Sequence, residues 1–213
     1  MRTALLIALA AAIIATTSVA VCADTTSQTW GFVTNSNPAA PEVVSNAFGT
    51  PSATINFEEP FGTGWYDTMP ELYGSEQGWW DIGPGSVLLS IPNSPTGGAD
   101  LPKDVQIEVK YWSDLSSVPS VSVDGNALTS ELSTLVEEGP LGGGWYVDRW
   151  SMHLTKNPDQ TTVEILGDAA WGSQIGEVAV TTSYAAVPEP GALLSLCTGV
   201  CGLMGFISRR RRA

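Results

Sequence analysis

Hydrophobic and polar residues alternate with a period of two along much of the middle of the chain. Val105, Ile107, Val109 and Tyr111 are separated by Gln106, Glu108 and Lys110, and Trp150, Met152 and Leu154 are interleaved with Arg149, Ser151 and His153. A strand places successive side chains on opposite faces, so this spacing predicts strands half in a core and half in water. Val163 with Ile165, and Val178, Val180, Thr182 and Tyr184, predict two more. Thr54–Phe57 and Val87–Ile91 are further candidates. Val121 and Val123 lead into Asp124-Gly125, a two-residue hairpin signal, because a type I′ turn needs positive φ at both central positions. Helical periodicity is nearly absent; Ser130–Glu138, which would allow one or two helical turns, is left open. Some eight short strands with Gly/Pro turns predict an all-β fold, an antiparallel β-sandwich of jelly-roll type.

The two ends break this pattern. Arg2 is followed by an uncharged apolar run from Ala4 to Ala15, and then by small residues offering cleavage sites at Ser18-Val19-Ala20 and Val21-Cys22-Ala23. That order of regions predicts a secretory signal peptide over residues 1–23. A permanent N-terminal anchor and a lipoprotein modified at Cys22 are the competing readings, and bulky Val21 argues against the second. At the other end, Pro188-Glu189-Pro190 precedes the uncharged stretch 191–207 and then Arg209-Arg210-Arg211-Arg212. Seventeen residues span roughly 26 Å as a helix, enough for a transmembrane segment across a core of about 30 Å when its ends snorkel. The arginines predict a cytoplasmic tail. No polar face interrupts 191–207, as a buried helix of a soluble domain would require.

Those residues resemble the PEP-CTERM sorting signal of Gram-negative envelope proteins. The resemblance is limited to residues 187–213, with the motif at Pro188, Glu189 and Pro190, the helix at 191–207 and the cluster at Arg209, Arg210, Arg211 and Arg212. It implies export by the Sec machinery and a transient inner-membrane intermediate. It further implies recognition and removal of the helix by an exosortase, a membrane-embedded cysteine transpeptidase. The final location implied is the cell surface, outer envelope or extracellular matrix, in association with exopolysaccharide and biofilm systems. A hydrophobic tail used this way is a processing address, as in a GPI signal.

Removing both ends leaves an ectodomain over residues 24–186, or 163 residues (186 − 23), one domain's worth. The whole chain has 9 Lys+Arg and 22 Asp+Glu. Five bases (Arg2 and Arg209 to Arg212) and one acid (Glu189) lie outside the ectodomain, which keeps 4 bases and 21 acids, a net −17. Such a surface has no clustered cations for phosphates, which excludes nucleic acid as a direct partner, and it repels an anionic membrane surface. All three cysteines (Cys22, Cys197, Cys201) lie outside it, so a hydrophobic core and not disulfides must stabilise the domain.

Candidate chemistry is sparse. His153 is the only histidine and alternates with apolar neighbours, which predicts a place on the solvated face and rules out multi-imidazole metal sites. There is no nucleophile-elbow or phosphate-loop motif. No cofactor and no catalytic residue is expected, and the chain reads as a non-catalytic surface or matrix protein. Two alternatives stay open: a carbohydrate-binding module, and a small glycoside hydrolase using two of the many carboxylates. Asp100 and Asp104 flank a loop with oxygen ligands for Ca²⁺, although no Ca²⁺-binding spacing accompanies them.

Aromatics supply the remaining lead. Trp65-Tyr66, Trp79-Trp80 and Trp145-Tyr146 each lie beside glycine, and adjacent residues of a strand face opposite ways. One ring of each pair is therefore expected to point outward, where it would stack on a neutral sugar. The opposing expectation is that these rings fill the ends of the core. Glu58-Glu59-Pro60-Phe61-Gly62-Thr63-Gly64-Trp65-Tyr66-Asp67 is echoed, with insertions, by residues 137–148, which suggests equivalent loops on equivalent edges of two sheets.

Overall fold

The computed structural model describes residues 25–59, 61–68, 70–93, 102–113 and 118–184. The leader, the sorting motif, the spanning segment, the arginine cluster and Asp100 lie outside the described residues. Thirteen strands are described: β1 (Thr25–Trp30), β2 (Val43–Ser45), β3 (Ser52–Asn56), β4 (Gly64–Thr68), β5 (Gln77–Gly83), β6 (Ser86–Pro92), β7 (Lys103–Ser113), β8 (Ser120–Val123), β9 (Asn126–Ala127), β10 (Leu132–Glu138), β11 (Gly144–Leu154), β12 (Gln160–Leu166) and β13 (Ser173–Tyr184). A four-residue helix, α1 (Pro70–Tyr73), lies between β4 and β5.

They form two antiparallel sheets. The first runs β10-β11-β7-β13-β1-β2, with β5 also pairing to β13 and β4 to β5; the second runs β3-β6-β12-β8-β9. β13 has the length to serve two neighbours in turn: Ser173–Ile175 meet β5, and Val178–Ser183 meet β1. From β6 onward the chain changes sheet repeatedly: β6, β8 and β12 belong to one sheet and β7, β11 and β13 to the other. This is the all-β antiparallel sandwich that the alternation predicts, with jelly-roll-like crossing.

The predicted inward residues form the core. Val105, Ile107, Val109 and Tyr111 face it from β7, in register with Met152, Trp150, Asp148 and Tyr146 of β11. Val178 and Val180 continue the layer on β13. Val87, Leu89 and Ile91 answer from β6, paired with Ile165, Val163 and Thr161 of β12. Val109 is fully buried, and burying such a side chain contributes about 1.5–3 kcal/mol. The Asp124-Gly125 turn has φ of 48° and 78°, both positive as the hairpin signal requires.

The segment left open, Ser130–Glu138, is an edge strand from Leu132 onward, bulged between Leu135 and Glu137 and exposed along nearly its whole length. No inward stripe develops there because it borders β11 on one side only. β1 escapes an alternation search for a different reason. Its inward residues before Trp30 are Thr26 and Gln28, buried polar groups satisfied by the Thr182 hydroxyl at 2.8 Å and the Val180 carbonyl at 2.9 Å.

Candidate functional site

Strand register decides where the six candidate aromatics point. Across β4 and β5, Trp65 is opposite Trp80 and Tyr66 opposite Trp79; across β11 and β7, Trp145 is opposite Trp112 and Tyr146 opposite Tyr111. Neighbours do face opposite ways: Trp65, Trp80 and Tyr146 join the main core, and Tyr66, Trp79 and Trp145 lie on the other side of the first sheet. That outer side is nevertheless covered. Tyr73 of α1 lies over Trp79 and Trp112, with centroids 4.7 and 5.0 Å away, and Tyr66 stacks on Trp79 at 4.5 Å. Trp145 meets Trp112 and Trp79 edge-on at 5.7 and 6.3 Å and donates its indole N–H to the Tyr73 carbonyl at 2.6 Å.

The result is a second small core on the outside of the sheet. Trp79 is 1 %, Trp80 4 % and Trp145 0 % exposed, so none offers a ring face to a sugar. Trp65 is half-buried with its indole N–H on the Phe32 carbonyl at 2.8 Å, and the half-buried Tyr66 bonds Thr63 at 2.8 Å. The expected platforms at Trp79, Trp80 and Trp145 are thus corrected to packing residues. The alternation is sound; what it omits is the cover supplied by α1, whose Tyr73 carries no strand periodicity. The echo is corrected as well. Both copies belong to the first sheet, and their parity is reversed: Trp65 faces the main core where Trp145 faces away from it.

Exposed aromatics occur instead at one end of the sandwich. Residues 57–59 with 61–63, 83–85 and 167–172 pack backbone to backbone around Gly83, which has φ of 58°. A Cβ built on Gly83 would lie 2.3 Å from the Gly62 nitrogen, and one on Gly172 would lie 2.8 Å from the Gly83 Cα, so glycine is required for this approach. Backbone bonds from Glu58 N to Ile82 O and from Gly167 N to Gly85 O fasten the loops together. Thr63 donates to Asp81 at 2.6 Å, and burial pushes the Asp81 carboxyl above the usual carboxylate range. This assembly presents Phe57, Phe61 and Trp171, which are 47 %, 54 % and 73 % exposed.

Trp171 stands on a fixed turn. The Asp168 carboxylate accepts the backbone N–H groups of Ala170 and Trp171, both at 2.8 Å, and the Asp168 carbonyl accepts that of Gly172 at 2.8 Å. Sequence reading missed this residue, although Asp168 three positions ahead and Gly172 one behind are the chemistry of such a turn. Phe57 reads in the sequence only as the end of the strand candidate Thr54–Phe57, and Phe61 only as part of the echoed segment.

The remaining polar chemistry lines the solvated face of β7, β11 and β13. His153 and Asp104 are paired at 2.7 Å across β11 and β7, and both are exposed, as the alternation predicts for His153. A shallow groove there is bordered by Asp104, Gln106, Glu131, Ser151, His153 and Thr181. Among the described residues, no group of three or more His, Cys, Asp and Glu side chains stands close enough to hold a metal ion.

No family model matches the chain, and no curated protein does. Among solved structures it is similar to a family 35 carbohydrate-binding module bound to a glucuronic-acid-containing disaccharide, at 15 % identity and a TM-score of 0.36, over 60 % of this chain and 92 % of that one. The corresponding module of Paenibacillus barcinonensis gives 14 %, 0.34, 62 % and 98 %. The dimeric latent PorU of Porphyromonas gingivalis gives 10 % and 0.37, over 72 % of this chain and 14 % of that one. Likeness at this level assigns neither family nor activity.

Proposed function

We propose that the chain is an exported, non-catalytic surface or matrix protein, sorted by a PEP-CTERM signal, whose sandwich holds a neutral glycan at the loop end bearing Phe57, Phe61 and Trp171. The observation that carries this reading is Trp171, 73 % exposed on a turn held by three hydrogen bonds. A backbone turn fixed in advance loses little conformational entropy when a sugar stacks on the ring it carries, and the two phenylalanines stand on a loop packed against the same glycine. Single exposed apolar residues are ordinary, whereas these three aromatics stand on loops that converge on one glycine.

The ectodomain charge of −17 selects the ligand class, because an acidic polysaccharide would be repelled. Export through the Sec machinery, a transient inner-membrane stage and cleavage by an exosortase follow from the two ends and complete the proposal. A glycan array probed with the protein and with Trp171→Ala tests the binding step. Neutral glycans should be retained by the first and bound several-fold more weakly by the second. Binding unchanged in Trp171→Ala, or none to any neutral glycan, overturns it.

A further inference from the structure

The core also contains a lysine that no carboxylate among the described residues pairs with. Lys103 opens β7 with the inward parity of Val105 and is 0 % exposed. Its ammonium donates to Asn93 Oδ1 and Thr161 Oγ1 and stands 5.3 Å from the centre of the Tyr184 ring; among the described residues no carboxylate pairs with it. Burial pulls its pKa down to about 8, with Asp124 the opposing charge, so a neutral fraction is present near neutral pH. Asn93 is 4 % exposed, and its amide nitrogen is held by the Pro158 carbonyl at 2.6 Å and by Thr161 Oγ1 at 2.9 Å. The Tyr184 hydroxyl donates to Asn93 Oδ1 at 3.0 Å.

We propose that Lys103 and Asn93 react to form an intramolecular amide bond with release of ammonia. Tyr184 and Thr161 each have a place in that reaction. The neutral Lys103 Nζ adds its lone pair to Asn93 Cγ, and the Tyr184 hydroxyl stabilises the negative charge that gathers on Oδ1. Thr161 Oγ1 touches both the attacking Nζ and the departing Nδ2, so it takes the proton from one as it gives its own to the other. The Cγ–Nδ2 bond then breaks, the carbonyl reforms, and ammonia leaves. The Nζ–Cγ bond replaces Cγ–Nδ2, one proton is moved, and no oxidant or reductant is needed.

The product relieves a physical conflict. A buried cation becomes a neutral amide whose oxygen still faces Tyr184. Asn93 directly follows β6 of the second sheet and Lys103 begins β7 of the first, so the bond ties the two sheets together in a domain without cysteine. A closed loop of this kind restricts the unfolded chain as a disulfide does.

Peptide mapping of the full chain, denatured after production and cut before aspartates, reads the bond directly. Cleavage ahead of Asp81, Asp100 and Asp104 separates residues 81–99 from residues 100–103 unless Lys103 and Asn93 are joined. The expected result is a branched peptide comprising both pieces, lighter than their sum by one ammonia, about 17 Da. It should be absent from Lys103→Arg and depleted in Thr161→Val, while Thr161→Ser retains it. Free 100–103 peptide and unmodified 81–99 peptide throughout the wild-type protein, including after incubation at pH 9, would overturn the proposal.

Discussion

Replacing Trp145 with alanine separates a packing residue from a ligand platform. The ring is 0 % exposed, edge-on to Trp79 and Trp112, with Lys110 Nζ 5.7 Å from its centre. Gly176, at a bulge in β13, leaves it just enough room: a Cβ there would lie 3.0 Å from the Trp145 ring. Truncating a buried tryptophan costs about 3–5 kcal/mol. Loss of the 2.6 Å bond to the Tyr73 carbonyl, and of two aromatic contacts worth about 0.5–1.5 kcal/mol each, places this one toward the upper end. For a domain of this size, each kcal/mol lowers Tm by roughly 2–4 °C, so a fall on the order of 10–20 °C is expected. Thermal and urea unfolding followed by tryptophan fluorescence measure it. A loss below about 1 kcal/mol would refute the second core and return Trp145 to the surface.

Three further outcomes follow from the same structure. Val109→Asp places an unpaired charge at a fully buried position and should abolish cooperative folding, seen as loss of the β-type far-UV spectrum. Glu137 accepts the Ser75 backbone N–H at 2.7 Å and the Ser75 hydroxyl at 2.9 Å, which hold its carboxyl below the usual range. A depressed carboxylate stabilises above its ordinary pKa and loses that contribution as pH falls through the folded value. The stability gap between the protein and Glu137→Gln should therefore be present at neutral pH and close on acidification, as paired denaturant titrations would show. For sorting, surface protein should lack Gly191 onward by intact mass, and replacing Arg209–Arg212 with serine should impair retention; a complete C-terminus on surface protein from cells with an active exosortase contradicts this.

The fold was legible where one face of a strand is apolar. β7, β12 and β13 carry that pattern because both of their neighbours and the opposite sheet bury the same face, and the Asp124-Gly125 turn is set by its own backbone needs. β1 and β10 were not legible: the first turns threonine and glutamine inward, and the second is an edge with no buried face at all. The site was harder to read, because exposure of an aromatic depends on what lies over it. The pairs at Trp65, Trp79 and Trp145 have the correct alternation, yet the cover at Tyr73 comes from a four-residue helix without a periodic signal. Trp171 drew no notice because it stands alone, and its distinction is the Asp168 turn that holds it. Lys103 continues the inward parity of β7, but a lysine at that parity reads as a strand end until its partners across the sheets are known.

Isothermal titration of a neutral oligosaccharide selected by array, into the protein and into Trp171→Ala, tests the central claim most directly. Removing the ring should weaken binding by roughly tenfold, about 1.4 kcal/mol, while Tm changes by no more than a degree or two, since an exposed side chain contributes within about ±0.5 kcal/mol of stability. Equal affinity in both proteins, or a Tm loss in Trp171→Ala as large as that of Trp145→Ala, would contradict the account.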